Sequence, residues 1–146
     1  MSDTIDYRNM TAPCGLDCFN CERYLANEEE QVRKYLETVL KARGLPTDHI
    51  TCKGCRNEKG ACLGFGPQRV PCRAYRCVMA KGLESCADCH DFPCDHLGPL
   101  AEHSQSLPHN IKVYNLALIR KMGVEKWAAE KSKQVRDTYF KGKFDI

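Results

Sequence analysis

The chain has 146 residues, with 22 Lys and Arg against 19 Asp and Glu, a formal charge of +3, and 11 cysteines. That length suits one domain, and a mean hydropathy of −0.51 leaves only a modest core, so bound metal is expected to supply part of the folding energy. Met1–Met10 has neither the basic nor the apolar region of a signal peptide, and no run reaches the roughly 18 apolar residues of a membrane span, so the chain reads as cytoplasmic with no membrane contact.

Residues 1–12 read as a loose lead-in. Pro13 and Gly15 put a turn in the run Cys14-Gly15-Leu16-Asp17-Cys18-Phe19-Asn20-Cys21. The spacing predicts a helix over 28–43, because Val32, Tyr35, Leu36, Val39 and Leu40 recur at three- and four-residue steps. Asn27 and Glu30 suggest a capping box. Gly44 and Pro46 close the far end. Residues 47–71 are irregular around Cys52-Lys53-Gly54-Cys55, and a loop that long needs a pin; metal at Cys52 and Cys55 would be one. Gly54 is expected at positive φ.

A short helix over 73–81 ends at Gly82. After Cys86 and Cys89, Asp95 can cap one more turn, stopped by Gly98-Pro99, and 103–109 is loop-like. A second strong helix runs over 110–122, with Ile111, Tyr114, Leu118 and Met122 on one face. Beyond Gly123 the pattern resumes through Val124, Trp127, Ala128, Lys131 and Val135. That predicts two helices hinged near Gly123, or one bent helix.

The fold expected is mainly α, small and irregular. A single helical domain spans 1–146, with metal-stapled cysteine loops and knuckles in 12–97, C-terminal helices over 110–137 packed on them, and room for a short hairpin at a knuckle.

A C-x-x-C turn lets two sulfurs grip one tetrahedral ion while its amides soften their charge. Such pairs recur at Cys18/Cys21, Cys52/Cys55 and Cys86/Cys89. In the cytosol they point to metal or redox chemistry rather than disulfides. Cys62 lacks a close partner and is the candidate for a plain buried thiol. Spacing leaves the grouping open. Cys77, Cys86, Cys89 and Cys94 could close one local site, or Cys52 and Cys55 could join Cys72 and Cys77. In the second case Cys72 must stand before its helix begins, since residues five apart on a helix diverge.

Cys14, Cys18 and Cys21 lack a local fourth ligand. Their spacing also matches the three-thiolate grip on a [4Fe–4S] cluster in radical-SAM enzymes, although 146 residues cannot supply the large barrel of those enzymes. His90 and His96 flank Cys89 and Cys94 and could each replace a thiolate. Asp17, Asp88, Asp91 and Asp95 stand among the cysteines, where a solvated or amide-capping role is the simple reading.

The net charge of +3 counts thiols as neutral. Two ions, each held by four thiolates, would bring it to about −1, so no general nucleic-acid footprint follows from it. Lys112 to Ile146 is locally basic, with Tyr139, Phe140 and Phe144 between lysines, which suits single-stranded nucleic acid. A solvated helix face with a docked tail is the simpler reading.

The pattern Cys14-Gly-Leu-Asp-Cys18-Phe-Asn-Cys21, Cys52-Lys-Gly-Cys55-Arg56, Cys72-x4-Cys77, Lys81-Gly82, Cys86-x2-Cys89, Asp91-Phe-Pro-Cys94 resembles an uncharacterised cysteine-rich prokaryotic family of unknown function, family 3795, thought to bind zinc. The likeness covers about residues 12–97, and the closing helices with Trp127 resemble the family's C-terminal extension. It implies that Cys14, Cys18, Cys21, Cys52, Cys55, Cys72, Cys77, Cys86, Cys89 and Cys94 matter and that Cys62 stands outside the set; it implies no activity. One departure is Tyr75, where an aliphatic residue is more typical, which touches packing rather than ligation.

Three functions remain open. The first is a small zinc protein, with about two structural ions, that binds a protein partner in preference to nucleic acid. The second is an iron–sulfur or thiol-redox protein acting through Cys14, Cys18 and Cys21. The third is catalysis at a three-ligand metal with a bound water. The balance leans away from an enzyme, since four thiolates leave no open position, and the oligomeric state stays open.

Overall fold

The computed structural model describes residues 4–48, 50–61, 72–97 and 109–141. The expectations for Cys62, the 62–71 loop, Gly98-Pro99, residues 103–108 and the tail with Phe144 lie outside the described residues, as do the side chains of Tyr139 and Phe140.

Within that set the chain is mainly helical. Helices α1 (Glu22–Leu25), α2 (Glu30–Ala42), α3 (Arg73–Lys81) and α4 (His109–Met122) are followed by α5 (Val124–Trp127), a π-helical stretch (Ala128–Ser132) and α6 (Lys133–Lys141). Short 3-10 turns occupy Cys18–Asn20, Cys86–Asp88 and Asp95–Leu97. No strand occurs among the described residues; an isolated antiparallel bridge joins Thr11 to Asp17 across the Cys14 turn. Gly15 there has φ +89°, and a Cβ would stand 2.8 Å from Leu116 Cγ. Both the backbone and the neighbouring helix therefore require glycine at this corner.

Helix α2 starts two residues later than the spacing predicts, and the capping box does not form. Backbone bonds from Asn27, Glu28 and Glu29 close the end of α1 instead. The Asn27 side chain donates to the carbonyls of Tyr24 and Cys52, at 2.8 Å each. The C-terminus is a Schellman turn: Leu45 N–H reaches Leu40 O at 2.9 Å, Gly44 N–H reaches Lys41 O at 3.0 Å, and Gly44 has φ +68°. Leu36 and Leu40 are buried with Ala26 and Ile50, but Tyr35 is 57% exposed. Helix α2 thus caps a small satellite cluster beside α1, too narrow to cover Tyr35.

The main core gathers around Trp127, which is fully buried, as is Leu116. Phe19 meets Trp127 edge-on at 5.9 Å, and Tyr7 meets Phe19 at 5.0 Å. Cys14 and Cys86 border the same cluster. Gly123, at φ +84°, separates α4 from α5, so the hinged alternative holds.

The face of α4 differs from the expected one. Ile111, Asn115, Leu116 and Ile119 are buried, whereas Tyr114 is 56% exposed. The reason is polar. Asn115 donates to Gly15 O at 2.9 Å and accepts from the Trp127 indole at 3.2 Å, so its amide is satisfied at full burial. An apolar count excludes Asn115 and admits Tyr114. Tyr75 packs its ring over Gly60, where a Cβ would come within 2.5 Å of it.

Replacing Trp127 with Ala removes the centre of this core and should cost about 3–5 kcal/mol, read as a lower urea midpoint by circular dichroism.

Candidate metal centre

Two of the C-x-x-C pairs fold identically. Each is a 3-10 turn closed by the second cysteine's N–H on the first one's carbonyl: Cys21 to Cys18 at 3.0 Å and Cys89 to Cys86 at 3.1 Å. Each then leaves the turn extended, at φ −71°, ψ 132° and φ −83°, ψ 135°. The Cys52–Cys55 pair turns differently, through Gly54 at φ +97°, as its glycine predicts. Met10 Cε fills the space where a Cβ would go, and Cys18 Cβ lies 3.8 Å from that point, so the Cys52 loop is laid against the first knuckle. Backbone bonds hold it there: Cys52 N–H to Arg23 O at 2.9 Å and Gly60 N–H to Cys55 O at 2.8 Å. Gly60 O in turn accepts from Cys72 N–H at 3.1 Å.

Cys72 stands just before α3 as its N-cap, and its sulfur accepts from Tyr75 N–H at 3.3 Å. It therefore occupies the position that sharing an ion with Cys77 would demand.

Helix α3, the second knuckle and the stretch after it meet around a cavity of about 20 Å³, room for one water-sized guest. Cys77, Cys86, Cys89, Cys94, His96 and Lys81 line it. Burial pushes the Cys86 thiol up to about 12, with Cys14, Cys94, Cys89 and Cys77 adding to the effect. Those four cysteines thus lie close enough to Cys86 to act on its charge. Cys14 reaches it because Cys86 N–H bonds Pro13 O at 2.9 Å. None of the ten described cysteines forms a disulfide. The thiols line the cavity without closing a shell: among the described residues, no three His, Cys, Asp or Glu side chains stand as a ready ion site. By chemistry the donor set fits zinc or another thiophilic ion; by position it would have to draw in to ligate one.

The C-terminal helices hold both 3-10 knuckles through arginine. Arg120 donates to the carbonyls of Ala87 and Cys89, the latter at 2.7 Å, and lies 4.8 Å over the Phe92 ring. Arg136 grips Asp17 with two bonds, Nε–Oδ2 at 2.9 Å and Nη2–Oδ1 at 2.8 Å. Asp17 is completely buried; Asn20 also donates to it at 2.9 Å and to Ser132 at 3.1 Å. Burial costs the Arg136 guanidinium hydration, yet Asp17, with Cys21 and Cys18 nearby, holds its pKa above the ordinary value. Arg56 ties the Cys55 side to both knuckles, bonding Thr11 O at 2.8 Å and Glu84 O at 2.6 Å.

Asp17 is accordingly no solvated neighbour of the cysteines. Arg120, Arg136 and Asn115 escape a search for ligand types because they contact backbone and carboxylate. The basic count after Lys112 was the available signal, with Arg120 and Arg136 bonded back to the knuckles.

This is a cysteine-rich helical domain built on repeated C-x-x-C turns. A family described as "Protein of unknown function (DUF3795)" matches residues 10–99, more than half of the chain, and the chain belongs to that family. No curated protein and no solved structure matches it.

Replacing Arg136 with Ala strands a buried carboxylate and should cost about 3–5 kcal/mol in urea unfolding, while Asp17→Asn combined with Arg136→Gln should recover much of that loss.

Proposed function

We propose that this protein is a zinc-binding module in which the metal is structural and the folded surface serves a protein partner. The observation that carries it is the cavity lined by Cys77, Cys86, Cys89 and Cys94, which brings thiols from three separate segments to one ion-sized space. Zinc bound there would supply a cross-link between α3 and the second knuckle. Cys18 and Cys21, with Cys52 and Cys55 laid against them, form the natural second group. The chain's own residues prepare both places: Arg120 fixes the carbonyls of one knuckle, and Arg136 fixes the carboxylate beside the other.

A protein partner is favoured over nucleic acid on two grounds. Arg120 and Arg136 are engaged by knuckle carbonyls and by Asp17 rather than offered to phosphates. Tyr35, Met79 and Tyr114 are large apolar side chains left exposed, of the kinds enriched at protein interfaces. No helix among the described residues is long and apolar enough to cross a membrane.

Protein purified without oxygen should carry about two zinc per chain by mass spectrometry and lack visible absorbance. Cys86→Ser should lose about one of them and lower the melting temperature. Iron with acid-labile sulfide in the same sample would overturn the zinc reading.

A further inference from the structure

The four cavity cysteines are not equivalent. Cys86 is buried against the core, whereas Cys89 is half-buried at the edge. Cys89 alone of the four is joined to a cation by a described bond: Lys81, in the last turn of α3, places Nζ 3.3 Å from Cys89 Sγ. The same ammonium lies 3.0 Å from Asp91 Oδ2. One lysine is thus shared between a sulfur and a carboxylate two residues apart.

We propose that Lys81 is a positioning residue that shields the Cys89 sulfur of a thiolate metal site, with Asp91 setting how strongly it does so. This rests on the zinc reading above. A divalent ion with four thiolates carries a net −2, and a charge-assisted hydrogen bond drains electron density from the sulfur that accepts it. The Cys89 sulfur thereby becomes a poorer nucleophile and a slower leaving ligand, although it is more exposed than Cys86. Asp91 competes for the same ammonium, so its carboxylate weakens the bond to sulfur. Outer-shell hydrogen bonds of this kind tune metal affinity without touching the ion. Lys81 and Asp91 side chains are 39% and 75% exposed, so replacing either leaves the core intact.

The test uses the full chain loaded with zinc. Limiting iodoacetamide followed by peptide mapping reads the modification rate of each cysteine, and a chromogenic chelator reads zinc release. Lys81→Met should speed both Cys89 modification and zinc release by about tenfold, Lys81→Arg should stay close to the parent, and Asp91→Asn should slow both. Rates unchanged in Lys81→Met and Asp91→Asn, or shifted in the same direction in both, overturn the proposal. A uniform rise at all four cysteines together with a lower melting temperature marks general loosening and also overturns it. Cobalt(II) titration of the parent chain separates the two levels. If cobalt gives no thiolate charge-transfer band, the zinc reading itself has failed. If the band forms and the variants match the parent, only the role of Lys81 is lost.

Discussion

A carboxylate fully removed from water is costly unless a cation and further donors meet it, and Asp17 is such a group, set between two cysteines of one motif. Arg136 meets it with a two-bond fork and Asn20 adds a third donor. The rest of the arrangement follows from that need. To reach position 17, α6 must lie along the first knuckle, which puts Trp127 against Phe19 and Ser132 beside Asn20. The turn between Cys14 and Cys18 is pressed so close to α4 that only glycine fits at position 15. Such a pair adds little net stability over an apolar substitute, but it selects one docking pose, because any other pose leaves a charge stranded.

The same logic separates the mostly buried Arg136 from the exposed arginines. Arg8 bridges Glu84 and Glu125 at 2.8 and 2.6 Å, but all three side chains are well exposed, where solvent screening reduces such pairs to small effects. Arg120 is exposed as well but bonds carbonyls of the second knuckle, and of the three only Arg136 is mostly buried, at 17% side-chain exposure against an Asp17 at 0%. The protein therefore uses arginine for two purposes, and for Arg136 depth decides which.

The helices and their stops were largely legible. Gly44, Gly82 and Gly123 end or break helices where the sequence places them, and Gly54 has the positive φ that its knuckle demands. These features are local, so short windows contain them. Cys72 before α3 was legible as a condition, from the divergence of residues five apart. Most of the misses are long-range. The capping box at Asn27 fails because the chain there still closes α1, the N–H groups of Asn27, Glu28 and Glu29 bonding back to Tyr24 and Leu25, while the Asn27 side chain joins that end to the Cys52 carbonyl 25 residues away. The face of α4 is misjudged because Asn115 has a backbone partner 100 residues away. Asp17 reads as solvated because its arginine lies 119 residues further along. Cys77, Cys86, Cys89 and Cys94, which line one cavity, are close in sequence and formed one of the two groupings that spacing left open; the nearness of Cys14 to Cys86 had no such signal.

The Asp17–Arg136 bond has a consequence for inheritance. Its two ends fall on opposite sides of the family's edge at residue 99, so the unit that similarity recognises is shorter than the unit that folds. Along a lineage, position 17 is not at liberty to drift while position 136 stays, nor the reverse. Exchange of the cysteine-bearing segment between relatives would carry half of a lock without its key. The C-terminal helices are, in this chain, a working part of the same body rather than an appendage to it.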